Sequence, residues 1–193
     1  MSGNVVPISK VATLLQLRIE LDGVRPSVWR VIQVPESIHM DRLHRVIQIA
    51  MGWEDCHLHE FVIGNVRYGT PDPAFDDPGS VTAEKGVPLA KALGGERRFL
   101  YTYDFGDGWE HTLTVEERGV ASDAPAEVRC LSGENACPPE DVGGHPGYED
   151  FLRAIADPGH DQHQDMLDWC RGGFDAERLD LGSVNRKLKR MRL

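Results

Sequence analysis

The run FLYTYDFGDGWEHTLTVEE, from Phe99 to Glu117, decides the fold. Tyr101, Tyr103 and Phe105 alternate with polar residues, and Trp109, His111, Leu113 and Val115 do the same further on. Alternation with a period of two predicts two strands, each with one buried face. Asp107-Gly108 between them predicts a tight turn, because glycine takes a positive φ without a Cβ clash. Aromatic and β-branched pairs across the two strands would then hold the register.

Outward from this hairpin the same reading yields an α+β order. Leu15, Leu17, Ile19 and Leu21 alternate with Gln16, Arg18, Glu20 and Asp22, and a turn at Gly23–Pro26 leads into the apolar run Val28–Val34, so an opening hairpin is expected. Leu43, Val46, Ile47, Ala50 and Met51 recur at helical spacing and end at Gly52, which predicts an amphipathic helix on that hairpin. Leu58–Ile63 and Val66–Gly69 flank Gly64-Asn65 and predict another hairpin. Thr70–Gly86 is read as an exposed loop, Pro88–Leu93 as a helical turn, and Val128–Leu131 as a short strand after the polar stretch Ala121–Pro125. Helical spacing returns in Tyr148–Ile155, Asp161–Cys170 and Leu181–Met191, with Asp157 and Asp180 at expected N-caps and Gly172-Gly173 between the last two. Strands that follow one another without an intervening helix make a parallel sheet improbable on connection length. The expected class is α+β: a mixed, mainly antiparallel β-sheet, β-grasp-like, packed on one helix and followed by a C-terminal group of helices. Residues 1–13 read as an N-terminal extension and 14–193 as one α+β domain, sheet-rich over 14–131 and helical over 145–193.

Composition narrows the function classes. The 193 residues carry 21 Lys+Arg against 31 Asp+Glu, a net charge of −10, and only four cysteines, so neither a disulfide scaffold nor a free-standing nucleic-acid binder is expected. Residues 101–150 alone hold two basic against twelve acidic groups. Arg186, Lys187, Lys189, Arg190 and Arg192 crowd the tail, where they suit the carbonyl end of a last helix and leave weak nucleic-acid contact as a minor option. No apolar run is long enough to span a bilayer and no secretory signal is evident, so a cytoplasmic protein with reduced thiols and no membrane partner is expected. The serine-hydrolase elbow, the phosphate-binding loop and the dinucleotide fingerprint are all missing.

Several constellations could carry chemistry, and each has a structural alternative. His57 and His59 would share a strand face, with Glu60 opposite, as two metal ligands might; the alternative is one packed and one solvated histidine. Asp104, Asp107, Glu110 and His111 gather at the hairpin, where carboxylates could hold a cation or transfer protons, though Asp107 suits a turn and Asp104 suits backbone donors. Cys130 and Cys137, with His145 further on, could offer soft ligands, but not at knuckle spacing. His160 and His163 share a face if a helix begins at Asp161, without a metalloprotease motif; Cys56 and Cys170 fall in no pattern.

The sequence resembles the Ri-plasmid ORF-3-like family. The resemblance rests on HLHEF at His57–Phe61, YTYDFGDGWEH at Tyr101–His111, the run from Cys130 through ENACPPEDVGG to Gly144, GYEDFL at Gly147–Leu152 and FDAERLDLGSVNRKL at Phe174–Leu188, and it spans the chain from Leu14 onward. It implies an α+β domain of bacterial genomes and mobile elements without an established activity. Some relatives carry a resolvase label, but a serine recombinase needs arginines around its transferring phosphate, and the acidic third quarter of this chain argues against that chemistry. Two expectations follow. One is a non-enzymatic protein- or peptide-interaction module that uses Tyr103, Asp104, Asp107, Trp109 and His111. The other is a metal-binding protein, with hydrolysis as its candidate activity and zinc or another divalent cation as cofactor among His57, His59, Asp104, His111, Cys130 and Cys137.

Overall fold

A computed structural model describes residues 13–74, 76–120, 127–171 and 173–191. The elements are β1 (Thr13–Leu21), β2 (Trp29–Pro35), α1 (Met40–Met51), β3 (His59–Ile63), β4 (Val66–Gly69), β5 (Val81–Ala83), α2 (Leu89–Leu93), β6 (Arg98–Tyr103), β7 (Trp109–Val120), β8 (Arg129–Glu134), α3 (Gly144–Ala156), α4 (His163–Trp169) and α5 (Leu181–Arg190). The strands form one eight-stranded sheet in the order β5-β4-β3-β6-β7-β1-β2-β8. Among the described residues only β4 and β5 pair in parallel. The α+β class with a mixed, mainly antiparallel sheet therefore holds. Most of the expected N-terminal extension, together with Ala121–Pro125, Gly172 and Arg192, lies outside the described residues.

The alternating residues of β1 bury Leu15, Leu17, Ile19 and Leu21, as a strand with one wet face must. Helix α1 buries Leu43, Val46, Ile47, Ala50 and Met51, and Gly52 ends it in the left-handed region at φ 103°. That stripe also buries His44 and Gln48, which bond the Tyr101 hydroxyl of β6, so α1 is tied to the middle of the sheet by polar as well as apolar contact. One buried apolar cluster runs from Leu15 to Leu188 and takes in residues of α1, α2, α3 and α5.

Four local expectations need correction. Thr70–Gly86 is not all loop: Val81–Ala83 pairs with β4 at the sheet edge, through backbone bonds and with two of its three residues exposed, so no hydrophobic alternation marks it. The turn between β6 and β7 is not the two residues Asp107-Gly108 but the five from Asp104 to Gly108, because Asp104 leaves the strand at φ 55°. Phe105 consequently parts from the Tyr101 and Tyr103 face and is 55% exposed. Among the helices, Asp180 accepts from the Ser183 amide as an N-cap should, whereas Asp157 ends α3 and bonds Gly159. Helix α4 starts at His163, not Asp161.

Arg30 of β2 is buried and has no carboxylate partner among the described residues. Its guanidinium donates to the carbonyls of Ala50 at 2.9 Å, Trp29 and Glu134 at 2.7 Å and Asn135 at 2.8 Å, closing the end of α1 onto β2 and the end of β8. Burial draws its pKa below the usual value. Five donors in a rigid fork suit four fixed carbonyls, and a lysine cannot reproduce that geometry. Arg30→Met should lower unfolding free energy by about 3 kcal/mol, since buried carbonyls lose their donors. Urea denaturation measures it, and Arg30→Lys should recover only part of the loss.

Candidate functional site

The β6–β7 turn is built on Asp104. Its Oδ1 accepts from the Gly106 amide at 2.9 Å and from the Asp107 amide at 3.4 Å, and its carbonyl accepts from the Gly108 amide at 2.6 Å. Aspartate tolerates the left-handed backbone because its side chain bonds locally in this way. On the other side, the Asp104 amide donates to Leu58 O at 2.9 Å, which carries the β3–β6 pairing one step past His59 and Tyr103. That step sets His57 beside Asp104.

A second segment closes on the same place. Trp53 Nε1 donates to Pro138 O at 3.0 Å, the Glu54 amide to Glu140 Oε1 at 2.7 Å, and the Gly143 amide to Asp107 Oδ2 at 3.1 Å. Gly144, at φ 65°, lies so close to the turn that a Cβ would stand 2.6 Å from Asp107 O. The Pro138–Gly144 run is thereby pinned against the hairpin, and it delivers Glu140 and Asp141, the latter also left-handed at φ 56°.

The result is one imidazole among three carboxylates. His57 Nε2 lies 3.2 Å from Asp141 Oδ1, 3.6 Å from Asp104 Oδ2 and 3.9 Å from Glu140 Oε2. The nitrogen itself is buried and makes no hydrogen bond among the described residues. Asp104 anchors Oδ1 and turns Oδ2 toward His57, and Glu140 anchors Oε1 while its Oε2, which the Tyr103 hydroxyl also reaches at 3.4 Å, faces His57. For Glu140 the anchors are the Glu54 amide and the Tyr103 hydroxyl, at 3.1 Å, and burial lifts the Tyr103 pKa far enough to keep that phenol a donor. Two sets of ligand atoms fall within 4.8 Å of one another, His57 with Asp104 and Asp141, and Cys56 with His57 and Glu140. The Cys56 thiol is held above its ordinary pKa, by desolvation first and then by the Glu140 and Asp141 carboxylates, which makes it a poor nucleophile.

The other candidates land elsewhere. His59 does not share the site with His57, because β3 begins at His59 and His57 precedes it. His59 Nε2 meets both oxygens of the buried Glu84 at 3.0 Å, and its ring stacks on His44 with centroids 3.4 Å apart. His44 in turn bonds Asp55 Oδ1 at 2.6 Å, and burial, with His59 adding to it, lowers its pKa. Cys130 and Cys137 are buried free thiols of the core; burial raises Cys130 to about 11 and lifts Cys137 further. Cys130 instead serves through its backbone, which exchanges bonds with the Asn185 side chain of α5. His145 packs against Trp109, His163 bonds Ala154 O, and His160 bonds the Gln162 amide.

Of the expected partner-contact set, Tyr103, Trp109 and His111 are wholly buried and pack in the core. What the hairpin does expose beside the cluster is Phe105, with Leu58 at its flank. Glu140, Asp141, Cys56 and His44 were missed by spacing alone, because nothing in a linear pattern brings residues 140–141 to residue 57. The two acids do lie within the Cys130–Gly144 motif.

An α+β protein with an acid-rich histidine cluster where a five-residue turn meets a proline-braced loop is the class these features define. The family model of the plasmid pRiA4b ORF-3-like proteins matches residues 13–183, and the chain belongs to that family. It is 40% identical over 181 residues to the uncharacterised protein y4hQ of Sinorhizobium fredii, covering 91% of each chain. A crystal structure of a protein of unknown function from Methanosarcina mazei Go1 is similar at a TM-score of 0.80 and 32% identity, over 90% of this chain and 98% of that one.

His111 gives a prediction of its own. Its Nδ1 faces Tyr101 O at 3.2 Å, its Nε2 has no partner among the described residues, and burial depresses its pKa to about 4. The folded chain keeps this ring neutral while the unfolded chain takes a proton below about 6.5. Its stabilising term is thus complete above about 6.5 and is lost as pH falls toward about 4, by roughly 3 kcal/mol. Urea unfolding near pH 7.5 and near pH 4.5 should show a steeper acid loss in the wild type than in His111→Phe.

Proposed function

We propose that this protein binds a divalent cation, with zinc the best-suited ion, through His57 Nε2, Asp104 Oδ2 and Asp141 Oδ1, and with Glu140 Oε2 within reach. The observation that carries this reading is the buried, unbonded His57 Nε2 facing carboxylate oxygens at 3.2 and 3.6 Å. Donors bound to zinc at tetrahedral angles stand roughly 3.4 Å apart, so the spacing suits an ion between them. Imidazole with carboxylates favours zinc or a similar first-row cation over calcium or magnesium. No arginine or lysine forms an ion pair with Asp104, Glu140 or Asp141 among the described residues, which leaves their charge for a cation.

Asp141 is 71% exposed on its side chain, so the outer side of the site opens to solvent, as in centres that act on a ligand. An ion bound there supplies Lewis-acid polarisation of a water or carbonyl. Glu140, anchored by Tyr103 with its second oxygen facing inward, is placed to accept a proton, and a hydrolytic role fits that arrangement. The surrounding acidity disfavours a phosphodiester substrate. A second reading, a protein- or peptide-interaction module, draws on the exposed Phe105 and Leu58 at 55% and 58% beside the acidic cluster.

Elemental analysis of protein purified without an affinity tag, followed by calorimetric zinc titration, tests the reading. One equivalent of zinc is expected, with a chelator lowering the unfolding midpoint. Asp104→Asn and Asp141→Asn keep a side chain that tolerates the left-handed backbone and should each weaken zinc by about tenfold or more, while Tyr103→Phe, which releases Glu140, should weaken it by about tenfold. No stoichiometric metal, together with stability unmoved by chelator, would refute cation binding.

A further inference from the structure

Beside the cluster, a cleft of about 450 Å³ is lined by the end of α1, the Cys137–Glu140 segment, the end of α4, Arg171 and Phe174. Its walls carry two kinds of group. Trp53, Trp169 and Phe174 supply aromatic surface, and Glu54, Glu140 and Arg171 supply charge of both signs. Trp169 is 45% exposed, so its ring has a face to offer. The wall behind it is fixed: Phe151 meets Trp169 edge-on at 5.6 Å and Phe174 at 5.3 Å. Among the described residues Arg171 has no carboxylate within ion-pair range, although the chain carries ten more acidic than basic groups.

We propose that this cleft binds a free α-amino acid with an aromatic side chain. The ligand's ammonium group matches Glu54, its carboxylate matches the guanidinium of Arg171, and its ring packs on Trp169 and Phe174. A simple anion leaves Glu54 unmatched and meets the negative charge of Glu54 and Glu140, and a simple amine leaves Arg171 unmatched; a zwitterion answers both Glu54 and Arg171. A pocket of this size with aromatic walls and a few convergent polar groups is of the kind that holds small molecules. The cleft shares Glu140 with the cation site but does not depend on the ion.

Calorimetry on the full chain in excess chelator tests this with L-phenylalanine, 2-phenylethylamine and 3-phenylpropanoate. L-phenylalanine should bind, and each analogue should bind at least about tenfold more weakly, because a site built for a polar group is left unpaired without it. Arg171→Gln, an exposed position, should erase the difference between L-phenylalanine and 2-phenylethylamine, and Trp169→Ala should weaken all three. Absence of L-phenylalanine binding, equal binding of the analogues, or an unchanged preference in Arg171→Gln would overturn the proposal. With the ion removed, these outcomes are read separately from the zinc titration, so either conclusion can fail alone.

Discussion

The carboxylate of Asp104 holds the hairpin and the cluster together. One oxygen closes the five-residue turn on two amides, and the other faces His57. Because that turn is fixed, Asp107 can receive the Gly143 amide, and the Pro138–Gly144 run can rest where Glu140 and Asp141 reach the same imidazole. The buried pairs behind the turn, Tyr103 with Trp109 and Tyr101 with His111, keep its base rigid. Rigid support of this kind is what a ligand-binding constellation needs, since donors must be held near their working geometry before the ligand arrives.

Much of the fold was legible in the chain because burial follows periodicity. The alternation in Leu15–Leu21 and the helical spacing in Leu43–Met51 each name the buried face directly. The tight glycine turn at Gly64-Asn65 was legible for the same reason, as its flanking strands alternate or pair in place. Illegible elements were those held by backbone bonds or single polar contacts. Val81–Ala83 pairs without a buried apolar face, and Phe105 is turned outward by one aspartate taking a positive φ.

The candidate site was legible only in halves. His57 and Asp104 could be singled out as residue types in dense motifs, but their partners Glu140 and Asp141 come from a segment distant in sequence from both, brought back by Trp53, Glu54 and Asp107. Spacing overstated His59, which two residues of sequence placed with His57 and which the start of β3 sends to Glu84 instead. It likewise overstated Tyr103, Trp109 and His111, whose prominence reflects packing: large aromatic groups at the centre of a sheet are conspicuous in a chain whether or not they bind anything. Three of the carboxylates that face His57, those of Asp104, Glu140 and Asp141, lie in residues 101–150, where most of the acidic surplus falls.

The most direct measurement is anomalous diffraction at the zinc edge from crystals of the protein grown with zinc. The account predicts one strong peak bonded to His57 Nε2, Asp104 Oδ2 and Asp141 Oδ1, with the Asp104 Oδ1 bonds to the turn unchanged. A peak elsewhere, or none at that position under saturating zinc, would contradict it.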